Sequence, residues 1–257
     1  ATPHREAPAS RGTPAGGDGT GEQGGGSSVP PPTPEVDAEE WGRAMMEYEG
    51  LAEDSVTDLV LVNKRASAAH VMALDALVRR HLGSITRIDL SYNYLRNSGV
   101  ISLALLIKAL PRLSHLDLGD NHVGDSGASA VAEAAAGSTA LATLALGGNR
   151  IGDAGLSAVA AQLPLSLHTL NFNFNCASNE GAAALAGRLQ RPEPPNALTC
   201  LYLSGNSISG PGVAALADAA RRSGSLRQLY LRGNPLDEAA RAELEQVARQ
   251  TSLLVFV

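Results

Sequence analysis

Apolar residues between positions 85 and 234 follow one short phrase, L-x-x-L-x-L-x-x-N, which occurs six times with conservative apolar exchanges. Two apolar positions separated by a single residue predict a short strand with one buried face, because side chains alternate along a strand. An alanine-rich apolar run follows each phrase and predicts a helix. The phrase closes with Asn93, Asn121, Asn149, Asn175, Asn206 and Asn234, spaced 28, 28, 26, 31 and 28 residues apart. A period of this size predicts a solenoid of strand–helix repeats.

The start of each predicted helix carries a polar residue and, two positions later, a glycine. Asn97, Asp125, Asp153 and Asn179 occupy the same aligned position, which predicts that each one caps its own helix. The glycines at the second position are small enough to predict close packing between neighbouring repeats. They are Gly99, Gly127, Gly155, Gly181 and Gly212.

Both ends of the repeat array depart from the phrase. An incomplete copy begins at Val56 and has Lys64 where the other copies have asparagine. The segment 253–256 is similar to a closing strand, as the terminal repeat of a solenoid requires. We therefore predict one repeat domain with a C-terminal cap over residues 56–257.

An acidic, Gly- and Pro-rich tail occupies residues 1–35. Two Arg against seven Asp and Glu give residues 1–40 a net charge of −5, out of −6 for the whole chain. The repeats are therefore close to neutral, which argues against a basic nucleic-acid-binding face. The tail has too little apolar surface to fold alone, so it is either a disordered linker or a strap that orders on a partner.

An N-terminal capping helix is predicted over residues 36–55, starting at Asp37. Its apolar face consists of Trp41, Ala44, Met45 and Tyr48. This face either covers the exposed end of the core or inserts Trp41 into a partner.

The repeated phrase resembles the leucine-rich repeat superfamily, and its period of about 28 residues is similar to the ribonuclease-inhibitor-like subclass. The resemblance implies an α/β solenoid of about seven repeats plus a C-terminal capping strand. A concave parallel sheet would line the inside of the arc, with the helices outside, and the concave face would bind a protein. Lys64, Ala177 and Ala240 depart from the pattern in three repeats. An insertion at residues 191–196 lengthens one loop.

Candidate binding residues follow from this concave sheet, because the side chains between and after the two strand leucines point out of it. Asp89 and Asp117 form an acidic zone in the early repeats, which Asp120 extends. Small residues around Ala145 leave a bare floor in the middle. The late repeats carry a polar and aromatic zone: Asn171, Asn173, Phe174, Tyr202, Tyr230 and Arg232.

The two late tyrosines, Tyr202 and Tyr230, leave two interpretations open. They form a cross-strand pair that stabilises the sheet, or they anchor a protein partner.

The chemistry-bearing residues form no catalytic or metal-binding pattern. Cys176 and Cys200 give neither a disulfide framework nor a metal quartet, and the histidines are scattered. The run 124–127, Gly-Asp-Ser-Gly, spells the motif around the nucleophile of trypsin-like serine proteases. The next repeat has Ala154 in place of Ser126, so the repeat explains this run better than catalysis does. We expect no catalytic residue, no cofactor and no metal.

These patterns predict a non-catalytic scaffold or structural subunit of a larger intracellular assembly, with one or more protein partners on the concave face. No nucleic-acid partner is expected, and no apolar run approaches the ~18–20 residues of a membrane-spanning helix. Cytoplasm, cilium and mitochondrion stay open as locations. The alternative is a regulator of an enzyme, because ribonuclease-inhibitor-like repeats also occur in small-GTPase-activating proteins and in ubiquitin-ligase substrate receptors.

Overall fold

The computed structural model describes residues 44–45, 47–48, 51, 55–191 and 196–257, and within them the repeats form an α/β solenoid. Eight three-residue strands in this part of the chain join in sequence order into a single parallel sheet. They are β1 (Asp58–Val60), β2 (Arg87–Asp89), β3 (His115–Asp117), β4 (Thr143–Ala145), β5 (Thr169–Asn171), β6 (Cys200–Tyr202), β7 (Gln228–Tyr230) and β8 (Leu254–Phe256).

The helices alternate with these strands, and seven of them lie in the described residues. They are α1 (Ala68–Arg80), α2 (Arg96–Ile107), α3 (Asp125–Ala135), α4 (Asp153–Ala161), α5 (Asn179–Leu189), α6 (Gly210–Ser223) and α7 (Glu238–Gln250). The expected solenoid of about seven repeats with a closing strand is thereby confirmed.

The strand register places the middle residue of every strand in one row that faces the helices. Seven members of this row are exposed by 1% or less: Leu59, Ile88, Leu116, Leu144, Leu170, Leu201 and Leu229. Val255 of β8 closes the row and is partly buried. The core therefore lies between the sheet and the helices, and the opposite face of the sheet is left for other contacts.

Each phrase-closing asparagine is buried and links two repeats. Nδ2 of Asn206 donates to the carbonyl of Leu203 in its own repeat (3.0 Å) and to that of Phe172 in the preceding repeat (2.9 Å). Its Oδ1 accepts from the backbone N–H of Ala177, also in the preceding repeat (3.0 Å). The other five asparagines repeat this arrangement: Asn93, Asn121, Asn149, Asn175 and Asn234. The asparagines thus satisfy backbone groups that the three-residue strands leave without partners.

The prediction that the aligned Asn and Asp residues cap their own helices was wrong. Oδ1 of Asp125, the first residue of α3, accepts from the backbone N–H groups of Gly152 (2.7 Å) and Gly155 (3.0 Å) in the following repeat. The same double acceptance joins three further residues to the next repeat: Asn97, Asp153 and Asn179. The orphan N–H groups at the start of each of these following helices are therefore satisfied from the repeat before it.

Four of the five aligned glycines, Gly127, Gly155, Gly181 and Gly212, are required by these inter-repeat caps, and Gly99 packs against the backbone of Ala68, which confirms the predicted close packing. A Cβ atom added to Gly181 would lie 2.7 Å from Oδ1 of Asp153, and one added to Gly212 would lie 2.7 Å from Oδ1 of Asn179. Both distances are far below van der Waals contact, so any side chain at these positions would displace the capping residue.

Ala240 departs from the glycine pattern for a reason that the caps explain. The residue aligned with the capping Asn and Asp in the preceding repeat is Gly210, which has no side chain to reach α7. Instead, Asp237 caps α7 from within its own repeat, and its Oδ1 accepts from the backbone N–H of Ala240 at 2.8 Å. Without a capping side chain from the previous repeat, a methyl group fits here.

The N-terminal edge of the sheet is covered by Tyr48, whose hydroxyl oxygen accepts from the backbone N–H of Val60 at 3.0 Å. Ala44 is buried, and Met45 packs against the core. Trp41, the tail over 1–35 and residues 192–195 of the insertion lie outside the described residues, so the tail and capping-helix boundaries stay predictions. The described helices include none that is long and apolar enough to cross a membrane.

The cap made by Asp153 leads to a pH-dependent expectation. Burial pushes the pKa of this carboxyl up, but hydrogen bonds from the Ser178 hydroxyl and from the backbone N–H groups of Ser178 and Gly181 outweigh it, and the net pKa is lowered. A carboxyl with a lowered folded-state pKa contributes stability at neutral pH, which is lost as the pH falls through that pKa. We expect Asp153→Asn to lower the free energy of unfolding by about 1 kcal/mol at pH 7, and the deficit to shrink below about pH 4.

Urea unfolding between pH 3 and 7 measures this difference. Asp125→Asn is the matched control, because Asp125 accepts the same two backbone bonds without a hydroxyl partner and an amide oxygen can replace its oxygen. A deficit for Asp153→Asn that stays constant over this pH range contradicts the expectation.

Candidate protein-binding face

The concave face of the sheet carries the side chains that flank the buried row, as the alternation predicts. The column after the buried row runs Val60, Asp89, Asp117, Ala145, Asn171, Tyr202, Tyr230 and Phe256. A second column lies on the other side of the buried row, and the sequence analysis did not predict it. It consists of Asp58, Arg87, His115, Thr143, Thr169, Cys200, Gln228 and Leu254. The same two-residue period predicts both columns, so this second column could have been found.

The late end of this face is an aromatic ladder, defined as Tyr202, Tyr230 and Phe256. The ring centroids of Tyr202 and Tyr230 are 4.4 Å apart, and those of Tyr230 and Phe256 are 4.2 Å apart, with interplanar angles of 14° and 4°. All three side chains are half-buried. The stack arises because parallel pairing of β6, β7 and β8 aligns one aromatic residue on each strand.

A polar row borders the ladder. Sγ of Cys200 lies 2.8 Å from Oε1 of Gln228, which also accepts from the Tyr230 hydroxyl at 3.4 Å. Burial raises the pKa of Tyr202 to about 12, and Cys200 and Tyr230 add to the rise. The Tyr202 phenol therefore stays protonated at physiological pH, where it can donate a hydrogen bond. Arg232 is exposed beyond the end of β7.

The middle of the face contains a cavity of about 240 Å³, called here the mid-face pocket. Its lining residues are Ser91, Tyr92, Asp117, Gly119, Asp120, Ala145, Gly147, Gly148, Asn171, Asn173 and Phe174. Oδ1 of Asn171 accepts from the backbone N–H of Asn173 (3.1 Å), and Oδ1 of Asn173 accepts from that of Ser204 (2.7 Å). These bonds fix both amide side chains as one wall of the pocket.

The two aspartates predicted at the early end differ in their surroundings. Asp89 is only 8% exposed, pairs with Arg87 at 3.0 Å and accepts from the Ser91 hydroxyl at 2.7 Å. Asp117 is half-buried and accepts from the backbone N–H of Gly119 at 2.9 Å. Burial raises the pKa of Asp117; repulsion by Asp89 and Asp120 adds to the rise, and the Gly119 bond and Arg87 reduce it only in part. The exposed face of this zone is therefore dominated by Asp117 and Asp120.

Two aromatic side chains are exposed at turns that follow strands, one after β2 and one after β5. Tyr92 and Phe174 are 59% and 68% exposed, and both residues have positive φ angles of 58° and 54°. The equivalent positions in the other repeats also have positive φ, and they are Asp120 and the glycines Gly148, Gly205 and Gly233. Tyr92 was missed in the sequence; its alignment with these glycines is the signal that identifies the left-handed turn.

The described residues contain no group of three or more His, Cys, Asp or Glu side chains that could hold a metal ion. Cys176 and Cys200 are free. In the Gly-Asp-Ser-Gly run, Oδ1 of Asp125 is bonded to Gly152 and Gly155, which gives that side chain a structural role.

The match to a family model agrees with this architecture. Residues 111–132, 137–160, 165–186 and 196–217 match the family model described as Leucine Rich repeat. A 90-residue segment, 35% of this chain, is 30% identical to the Protein phosphatase 1 regulatory subunit 37 homolog of Caenorhabditis elegans. That segment spans 9% of the length of the relative. Among solved structures, Leiomodin-1 Actin-Binding Site 2 (ABS2) is similar over 60% of this chain and 87% of its own, with 18% identity and a TM-score of 0.49.

The four matched segments contain the strands β3, β4, β5 and β6, one in each segment, and the same phrase continues on both sides. One register joins all eight described strands, and each phrase-closing asparagine bonds the repeat before it. Residues 111–217 therefore contain leucine-rich repeats, and the described strands on either side continue the same architecture.

Proposed function

We propose that this chain is a non-catalytic scaffold or structural subunit that binds a protein partner on the concave face. The partner contacts are assigned to the polar and aromatic zone and the acidic zone: Asn171, Asn173, Phe174, Tyr202, Tyr230, Arg232, Asp89 and Asp117. Within the described residues, no constellation of metal ligands competes with this assignment.

The aromatic ladder is the observation that carries the proposal. Tyrosine and arginine are the residue types that most often anchor protein interfaces, and here Arg232 follows Tyr230 by two positions. The stack at 4.4 and 4.2 Å holds the rings in place before any partner arrives, which reduces the entropy lost on binding. The Tyr202 hydroxyl adds a hydrogen-bond donor beside the rings. Cross-strand stabilisation and partner anchoring are compatible roles for the same side chains.

A second candidate function, regulation of an enzyme, is favoured by the name of the relative. The Caenorhabditis elegans protein is called a homolog of a phosphatase regulatory subunit. A regulatory subunit acts by contacting another protein, so this candidate uses the same concave face with an enzyme as the partner. The ribonuclease-inhibitor-like subclass is part of the same proposal.

Affinity capture of the tagged full chain from its source cells, with mass spectrometry of the bound proteins, tests the proposal. We expect Tyr202→Ala/Tyr230→Ala/Arg232→Ala to reduce recovery of stoichiometric partners by about tenfold or more, because anchor side chains dominate interface energetics. Tyr202→Phe/Tyr230→Phe keeps the rings and should retain most of the partner.

The matched control lies on the convex side, where Met72 and Leu105 are 73% and 76% exposed. Met72→Ser/Leu105→Ser should leave partner recovery unchanged. Circular dichroism and urea midpoints establish that each variant is folded. Partners that survive the triple substitution but are lost from the convex variant contradict a concave interface.

A further inference from the structure

The mid-face pocket combines an opening, a charge imbalance and exposed aromatic rings at one place on the concave face. Its floor consists of backbone and the small residues Ala145, Gly147 and Gly148, so no side chain fills the cavity of about 240 Å³. The pocket is open to the outside, and its volume is sufficient for a side chain of a partner.

The charges at the pocket are of one sign. Asp89 lies beside it but is already paired with Arg87 at 3.0 Å. Asp117 and Asp120 both line the cavity, and no Lys, Arg or His is among the described residues that line it. The half-buried carboxylate of Asp117 and the exposed carboxylate of Asp120 create a negative potential that favours a cation over a neutral or acidic group.

The aromatic rings select among cations. Tyr92 and Phe174 line the same pocket and are 59% and 68% exposed; the Phe174 ring packs against Gly205 on one side, and most of each ring remains accessible to a ligand. A guanidinium group stacks on aromatic rings and bonds carboxylates with a planar fork, whereas an ammonium group is a strongly hydrated point charge. A metal ion is not favoured, because no three ligating side chains converge in the described residues.

We propose that the mid-face pocket binds an arginine side chain of the protein partner, with the guanidinium between Asp117 and Asp120 and stacked against Tyr92 or Phe174. The inference rests on the proposed function, since it names the chemistry that a partner presents to the concave face. The partner segment carries this arginine where it crosses β3 and β4, which lie three and two strands, or about 14 and 10 Å, from β6 and the start of the aromatic ladder.

Nuclear magnetic resonance of the isotope-labelled full chain tests this site with a small probe. The probe is the peptide acetyl-Ala-Arg-Ala-amide. The matched control is the neutral isostere acetyl-Ala-citrulline-Ala-amide. We expect saturable shifts at the backbone amides of Gly119, Gly147 and Gly148 with the arginine peptide. The citrulline peptide should bind about tenfold more weakly, because it lacks the charge-assisted hydrogen bonds.

Variants locate the contact. Asp117→Asn keeps the acceptor for the Gly119 amide and should weaken the arginine peptide about tenfold, and the exposed Asp120→Asn should weaken it too. Tyr92→Ala should weaken it by a few-fold through lost stacking. Glu133→Gln on α3, outside the pocket, is the matched control and should change nothing. Binding should also lower the raised pKa of Asp117, measured from its carboxyl carbon resonance.

Equal affinity for the arginine and citrulline peptides would overturn the proposal, as would unchanged binding to Asp117→Asn. Equal affinity for acetyl-Ala-Lys-Ala-amide would overturn the assignment to arginine. These outcomes are distinct from failure of the proposed function, which is measured by partner capture on the aromatic-ladder variants. Partner loss from those variants, with no arginine binding here, leaves the scaffold in place and removes only this pocket.

Discussion

Asn149→Ala is expected to remove about 3–5 kcal/mol from the free energy of unfolding, because it orphans buried backbone groups in two repeats. Asn149 is 6% exposed and its side chain makes five hydrogen bonds of 2.9–3.1 Å. Their backbone partners are the N–H groups of Asn121 and Val123 and the carbonyls of Leu118, Leu146 and Gly147. A methyl group replaces none of these bonds.

Urea denaturation followed by circular dichroism measures the loss, and amide hydrogen exchange shows whether the array unfolds as one unit. Asn171→Ala is the matched control, since Asn171 is half-buried and bonds one backbone N–H within its own repeat. It should cost no more than about 1 kcal/mol. Equal losses for the two variants would show that the phrase-closing asparagine has no special role.

Gly155→Ala is expected to destabilise the chain by about 2–4 kcal/mol through overpacking at a repeat junction and loss of cap hydrogen bonds. The added Cβ would lie 2.7 Å from Oδ1 and 3.0 Å from Cα of Asp125, and would also overlap the Ile151 side chain. Relief of this clash requires the cap on α4 to move, so the substitution loses hydrogen bonds as well as packing.

Gly187→Ala is the matched control for this substitution. Gly187 lies within α5, is exposed, and an added Cβ would meet nothing within 4 Å. Alanine should therefore stabilise the protein by about 0.4–1 kcal/mol, as expected for an exposed helical position. The expectation for Gly155 fails if both alanine variants have the same urea midpoint as the unsubstituted chain.

The sequence predicts the parts of this fold that depend on local alternation and period. The buried row of leucines, the phrase-closing asparagines and the aligned glycines are all visible as spacing, and each has the expected place. The sequence did not show which helix each Asn or Asp caps, because Asp125 and the backbone N–H of Gly152 that donates to it are 27 residues apart. An Asn or Asp that caps its own helix and one that caps the helix of the next repeat are the same residue types at the same position, so the sequence alone does not separate them.

The sequence predicts which residues lie on the concave face, but it does not predict the mid-face pocket. Tyr202 and Tyr230 are recognisable as neighbours from the register alone, whereas Phe256 joins them only because β8 continues that register. The mid-face pocket depends on the left-handed turns at Tyr92 and Phe174, which carry bulky residues where three other repeats carry glycine. Tyrosine and phenylalanine rarely have positive φ, so the residue type at these two positions does not predict a left-handed turn.

The caps and the asparagines point in opposite directions along the array. An internal repeat such as β4–α4 supplies Asn149 to the repeat before it and Asp153 to the repeat after it. Removal of N-terminal repeats would leave the backbone N–H groups at the next helix start without their acceptor. Removal of C-terminal repeats would leave buried backbone N–H groups in the preceding turn without their asparagine. Duplication of a whole internal repeat, in contrast, recreates both connections at the new junction. The length of this solenoid can therefore change from within by entire repeats at a lower energetic cost than by trimming either end.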